Sequence, residues 1–424
     1  RLGCAVPETM EEPGLAEERS EQPTYNVLKT WAFDDWGLYG RGDELLARAL
    51  ARHPRVGRVF HVQPPIDPAE LRSRFRDPRW EQDMEGQLRR LKGLQDDGVY
   101  LFAPTSQPDR REAALDATVA MLEREGAFTR PLLMLHGLAH PFAGELASRL
   151  GGRGVTRLAM VRRDARAPYP VDADERQALD EVYKTQLSGA DLVWAGTREL
   201  REELAALNPR TVLHPVGADQ GLAGGTPAAE LAGLPRPLII YAGSMRAYLN
   251  VGLIRGTADR LREASFVFVG PAADFLQPLV TGLRNVHVIG PRPYRLLPDY
   301  LAAADVAVAP HQVAPATRAV VPEKLFGYLA AGLPVVTTEI AGAAELRRLV
   351  WIARDPSEFA RAIQGALKRD RERRRALRQA AVAPLSWDAI AAHTVASVDA
   401  VRAGADLPDP PELKLPAIPG FLAR

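Results

Sequence analysis

At 424 residues, 46% hydrophobic and 25% charged, the chain has the composition of an ordinary globular protein and the length for two cored domains. Its 54 basic and 53 acidic side chains leave a net charge of +1, which excludes a global field for nucleic acid, so any anionic partner is held by local patches. The single cysteine, Cys4, excludes an intramolecular disulfide framework and suits a reducing cytoplasm, and no side-chain cluster has metal-ligand spacing.

Residues 1–23 are acidic and proline-containing, lack the apolar core of a signal peptide, and read as a disordered leader. Tyr25 to Ala32 then reads as a strand. A glycine-rich loop, Phe33 to Gly42, opens a helix that Asp43 is placed to cap and whose Leu45, Leu46, Ala49 and Leu50 recur at helical spacing. Glycines 37, 40 and 42 do not have the spacing of a dinucleotide fingerprint.

Short apolar runs follow at Val56 to Val62, Val99 to Ala103, Pro131 to Leu135, Leu158 to Val161, Asp191 to Ala195 and Val212 to Leu213. Stretches of helical length separate most of them, which predicts repeated β-α units and a parallel sheet. In such sheets chemistry gathers at strand ends, where this chain carries Asp34 and Asp35, Thr105 and Ser106, His136, and Arg162-Arg163-Asp164. Trp80, Met84, Leu88 and Leu91 form one helical stripe beside Arg89, Arg90 and Lys92. That stripe reads as a crossover helix burying its apolar face, with peripheral contact to an anionic membrane surface as the secondary reading.

From Gly217 to Pro237 the chain is rich in Gly, Ala and Pro and reads as a linker. The β-α rhythm resumes at Leu238 to Ala242, Phe266 to Val269, Val286 to Ile289, Val306 to Ala309, Val335 to Thr338 and Leu349 to Ile352. These segments are apolar at nearly every position, as strands buried on both faces are. Trp387 to Val401 is an amphipathic helix, and a proline-rich tail follows. The domain reading is therefore 1–23 leader, 24–216 first domain, 217–237 linker, 238–385 second domain and 386–424 helix and tail.

Within the second domain, residues 321–338 form a helix-turn-strand unit in which Pro322 suits the first helical position and Gly332 and Pro334 stop the helix. Glu323 is favoured at such a helix start, whereas Lys324 opposes the macrodipole unless an anion docks there. A phosphate would answer both; a lysine reaching to solvent is the plainer alternative.

The run from Thr317 to Val336 resembles the nucleotide-sugar site of GT-B glycosyltransferases, enzymes with two facing Rossmann-like domains. The resemblance implies that Lys324 binds the donor diphosphate and stabilises it as leaving group. It also implies a donor site of Gly243, Ser244, Met245, Arg246, Arg292, His311, Glu323, Lys324 and Leu325, and a terminal helix crossing back to the first domain. Many members carry two glutamates separated by seven residues, but those places fall here on Ala319 and Gly327, leaving the ribose contact unaccounted for. A subgroup resembling the xanthan glucuronosyltransferase also lacks that pair, and Gly243-Ser244-Met245 resembles it.

By the same resemblance Asp164 is the catalytic base from the opposite domain, with His136 in reserve; pairing of Asp164 with Arg162 or Arg163 is the structural alternative. The expected activity is transfer from a nucleotide-diphosphate sugar, a UDP-sugar, to a glycan or lipid-linked acceptor. It would proceed without metal or other cofactor, in the cytoplasm or on the inner membrane face. A non-catalytic nucleotide-sugar scaffold and a sugar-nucleotide epimerase on the same architecture are the other readings.

Overall fold

The computed structural model describes residues 25–30, 42–69, 95–96, 98–102, 110–135, 141–161, 173–271, 273–314, 322–340, 343, 346–369 and 372–415. The leader, residues 31–41, the stripe around Trp80, Ala319, and the strand-end candidates Asp34, Asp35, Thr105, Ser106, His136, Arg162, Arg163 and Asp164 lie outside them.

The first sheet has the order β3-β4-β2-β1-β5-β6-β7-β8. Its strands are β1 (Tyr25–Thr30), β2 (Val56–Val62), β3 (Gln95–Asp96), β4 (Val99–Phe102), β5 (Pro131–Leu135), β6 (Thr156–Val161), β7 (Leu192–Ala195) and β8 (Thr211–Leu213). All described pairs are parallel except β3 with β4. The second sheet is wholly parallel among the described residues, in the order β11-β10-β9-β12-β13-β14. It is built from β9 (Leu238–Ala242), β10 (Ser265–Val269), β11 (Val286–Gly290), β12 (Val306–Ala309), β13 (Val335–Thr337) and β14 (Trp351–Ile352). Parallel neighbours need crossovers, and helices supply them.

Successive residues of a strand face opposite ways. Leu238, Ile240 and Ala242 of β9 accordingly enter one core while Ile239 and Tyr241 enter the other. Each side of the sheet has its own hydrophobic layer, which is why this strand reads as an unbroken apolar run rather than an alternation.

The helix Trp387–Ala403 starts at Ser386, whose hydroxyl accepts the Ala389 N–H at 3.2 Å, and ends on Gly404 in the left-handed region. It crosses back to the first domain. Trp387, Ile390, Val395 and Val398 pack in the core that holds Tyr25, Val27, Leu132 and Leu158. The Tyr25 hydroxyl donates to Asp399 at 2.5 Å, and Arg402 Nε donates to Thr156 Oγ1 at 2.7 Å.

The connecting segment 217–237 is fastened to the second domain. Leu222 and Leu231 are buried in its core, the Tyr294 hydroxyl donates to Asp219 at 2.7 Å, and the Thr226 N–H donates to Asp299 at 2.8 Å. The two passages between domains run side by side: Ala218 N–H donates to the Leu385 carbonyl at 2.7 Å, and Gly217 lies against the Trp387 ring.

Candidate active site

The helix Glu323–Ala330 begins one residue later than spacing predicts, so Pro322 is its cap residue, with its carbonyl accepting the Leu325 N–H at 3.1 Å. Its other end closes as a Schellman motif: Gly332, at φ +81°, donates to Leu329, and Leu333 donates to Tyr328, both at 3.0 Å. Buried Arg378 donates to the Gly332 carbonyl through Nε at 2.9 Å, putting a cation at the negative end of the helix dipole.

At the front of that helix the half-buried Lys324 donates from Nζ to the Tyr241 hydroxyl at 2.9 Å. The ammonium lies 4.6 Å from the Tyr241 ring centre and 5.7 Å from that of Tyr248. Glu323 beside it does not pair with it; that carboxylate accepts the backbone N–H of Gly42 from the first domain at 3.0 Å. Burial pushes the Lys324 ammonium down to about 8 against the opposing pull of Glu323. Among the described residues one of its three N–H groups is engaged, so the lysine is a desolvated cation with capacity left for an oxyanion.

The turn after β9 backs directly on this lysine. A Cβ at Gly243 would meet Lys324 Cε at 2.9 Å, and one at Gly270 would lie 2.1 Å from the Gly243 carbonyl oxygen, so two bare backbones pass where side chains have no room. Gly243 N–H donates to Val269 and Met245 N–H to Pro271. The hydroxyls of Tyr241 and Tyr248 both donate to the Ser244 carbonyl, at 2.7 and 2.5 Å. Tyr328 bridges the next residue back, accepting Ala242 N–H at 2.7 Å and donating to its carbonyl at 3.0 Å.

His311, after β12, is 6% exposed and its Nε2 has no hydrogen-bond partner among the described residues. Its ring stands edge-on to Tyr248 at 5.2 Å. Burial first, then the Lys324 charge, lower it to about 2, so it is neutral at any working pH.

Gly243, Ser244, His311 and Lys324 are thus brought together, joined through Tyr241 and Tyr248. Other residues singled out from the sequence are otherwise engaged. Met245 and Leu325 are fully buried in the core. Arg246 is exposed and donates to Ser244 Oγ at 3.2 Å. Arg292 pairs with Glu230 at 3.0 Å and donates to Tyr300 at 2.9 Å and to the carbonyls of Ile289 and Pro291. At Gly327, a Cβ would stand 2.9 Å from Leu222, so the connecting segment occupies the space of the missing glutamate. Sequence reasoning missed Tyr241 and Tyr248, although they flank Gly243-Ser244-Met245 and could have been found as aromatics bracketing a glycine turn. Among the described residues no group of His, Cys, Asp and Glu is arranged to hold a metal ion, and no helix is long and apolar enough to cross a membrane.

Residues 236–369, which contain the turn after β9, Arg292, His311 and Lys324, match the family described as Glycosyl transferases group 1. Over 111 residues the chain is 31% identical to the protein of Bacillus subtilis (strain 168) named as a teichuronic acid biosynthesis glycosyltransferase, TuaH; the match spans 26% of the chain and 28% of that relative. In three dimensions it is similar to α,α-trehalose 6-phosphate synthase from Burkholderia multivorans, at 14% identity and TM-score 0.56, over 91% of this chain and 98% of the other. It is equally similar in kind to a structure described as a UDP-N-acetylglucosamine 2-epimerase from Listeria monocytogenes, at 12% identity and TM-score 0.53, over 92% and 99%. The architecture is therefore GT-B, with two Rossmann-like domains, and the segment that matches the group 1 glycosyl transferase model lies in the second of them.

Proposed function

We propose that this protein is a glycosyltransferase that moves a sugar from a nucleotide-diphosphate donor, a UDP-sugar, to a glycan or lipid-linked acceptor in cell-surface polysaccharide assembly. The observation that carries the reading is Lys324: a desolvated ammonium at a helix start, without a carboxylate partner among the described residues, against a bare glycine turn. Such a group binds a diphosphate in the ground state and holds it more strongly as charge develops on the leaving oxygen. The match to group 1 glycosyl transferases and the polysaccharide role in the relative's name support the same reaction class.

In this reading Lys324 and backbone N–H groups of the turn after β9 meet the diphosphate charge without a metal. His311 lies toward the nucleoside. The first domain, 24–216, receives the acceptor and supplies Asp164 as base, with His136 in reserve; 217–237 is the linker and 386–424 the return helix and tail. The enzyme works in the cytoplasm, peripheral contact with the inner membrane face being the secondary reading.

A panel of nucleotide sugars tests this by thermal shift and by slow donor hydrolysis, with and without EDTA. Stabilisation by one base series with release of its nucleoside diphosphate, insensitive to EDTA, is the expected result. Binding without release would favour a scaffold, isomerised donor an epimerase, and no binding would end the reading.

A further inference from the structure

The turn Gly243-Ser-Met-Arg246 has a regular arrangement of peptide groups. The unit joining Ser244 to Met245 is held at both ends: its carbonyl accepts the Tyr241 and Tyr248 hydroxyls, and its N–H donates to the Pro271 carbonyl at 3.0 Å. The units on either side carry the N–H groups of Ser244 and Arg246, and among the described residues neither donates to a protein group. Successive N–H groups left open in a turn form a concavity suited to an anion, whereas an open carbonyl in the same place would repel one. A peptide unit held by one bond can rotate and exchange the two; a unit held by three cannot do so without breaking them.

We propose that Tyr241 and Tyr248 are the positioning residues of the anion site, holding the Ser244 carbonyl away from the phosphates and setting Lys324 beside the open N–H groups. Tyr241 joins both halves. Its hydroxyl accepts from Lys324 Nζ at 2.9 Å while donating to the Ser244 carbonyl at 2.7 Å, so one oxygen fixes the cation and the turn relative to each other. Tyr241 is fully buried, and its ring is packed against Phe268 and edge-on to His311, so this oxygen has a fixed place. Tyr248 is half-buried and adds the second donor to the same carbonyl. Neither hydroxyl touches a reacting atom in this scheme; each acts through the groups that do.

This inference rests on the phosphate reading of Lys324, so its test uses inorganic pyrophosphate, which carries no base or sugar, beside UDP and uridine. Tyr241→Phe keeps the ring and removes the oxygen. It is expected to weaken pyrophosphate and UDP about tenfold, the scale of a lost hydrogen bond to a charged group, while uridine binding changes less than about twofold. The alkaline loss of pyrophosphate binding should also move to lower pH, because the ammonium loses the acceptor that favours its charged form. Tyr248→Phe, at a half-buried position that folding tolerates, should weaken pyrophosphate by a smaller factor with no movement of that alkaline loss.

Wild-type binding of pyrophosphate with an unchanged constant and unchanged pH profile in both variants would overturn the positioning role and leave the phosphate reading standing. Equal losses for uridine and pyrophosphate would also overturn it, as a structural defect has that signature. Wild-type protein that binds neither pyrophosphate nor UDP would remove the phosphate reading and this inference together.

Discussion

The backbone N–H of Gly42, at the start of a first-domain helix, donates to the carboxylate of Glu323, at the start of the second-domain helix that carries Lys324, over 3.0 Å. A carboxylate at a helix start is electrostatically favourable, and here one domain supplies it to the other. It also explains Gly42, where a Cβ would lie 2.5 Å from the Glu323 carboxylate. Glu323→Ala is expected to destabilise the closed pair of domains by about 1 kcal/mol, the scale of a lost helix cap, and to widen the particle in small-angle scattering. Gly42→Ala should widen it too, since the methyl group needs the carboxylate's place. Scattering curves that superimpose on wild type for both variants would show that the contact holds nothing closed.

Lys324→Ala should leave the melting temperature close to wild type while UDP affinity falls roughly 10- to 100-fold, as 1.5 to 3 kcal/mol of charge-assisted binding implies. With the ammonium held at about 8, nucleotide binding to the wild-type protein should decline as pH rises through that value. Folding runs the other way: between about 8 and the unfolded value of 10.5 the unfolded chain binds the extra proton, so this group favours the folded state more as pH rises. Titration calorimetry across this range would show the binding decline, and its persistence in Lys324→Ala would assign it elsewhere.

Gly327→Glu is the substitution that family resemblance suggests for restoring a ribose contact. The structure predicts damage instead, because Leu222 stands 2.9 Å from where the new Cβ would go and Gly327 is buried. A carboxylate forced into that space without a partner should cost more than about 3 kcal/mol. Melting and UDP binding measured on this variant decide it: tighter nucleotide binding with an unchanged melting temperature would mean that Leu222 moves aside.

Asp164→Asn bears on catalysis rather than on donor binding. If Asp164 takes the acceptor proton, turnover falls about a hundredfold or more with donor affinity held within about twofold. Transfer close to the wild-type rate, with a small loss of stability, would instead mark a surface ion pair with Arg162 or Arg163 and direct the search to His136, Asp34 and Asp35.

The strand pattern was legible because each strand of a doubly covered parallel sheet is written as a local apolar run. Leu238 to Ala242 and Val306 to Ala309 came out with their observed limits. β3 was not legible: two residues paired antiparallel at a sheet edge leave no periodicity to detect. Lys324 was legible as an anomaly, a cation at the wrong end of a helix dipole. Arg292 was expected toward the nucleoside by resemblance, yet nothing in its neighbourhood announced that Glu230, 62 residues earlier, would engage its guanidinium.

What the sequence by itself determined is what short-range chemistry encodes: the β-α alternation, the Gly332 stop of the Lys324 helix, and a glycine turn at the end of β9. What only tertiary structure decided is which of those pieces meet. Tyr241 reaches Lys324 across 83 residues, and Gly42 reaches Glu323 across 281. Leu222, in a stretch that composition marks as a linker, closes the place of the family's glutamate. Contacts of that span follow from sheet order and from how the chain packs on itself, and a hydroxyl, an N–H or a leucine carries no mark in the sequence of the distant group it will touch.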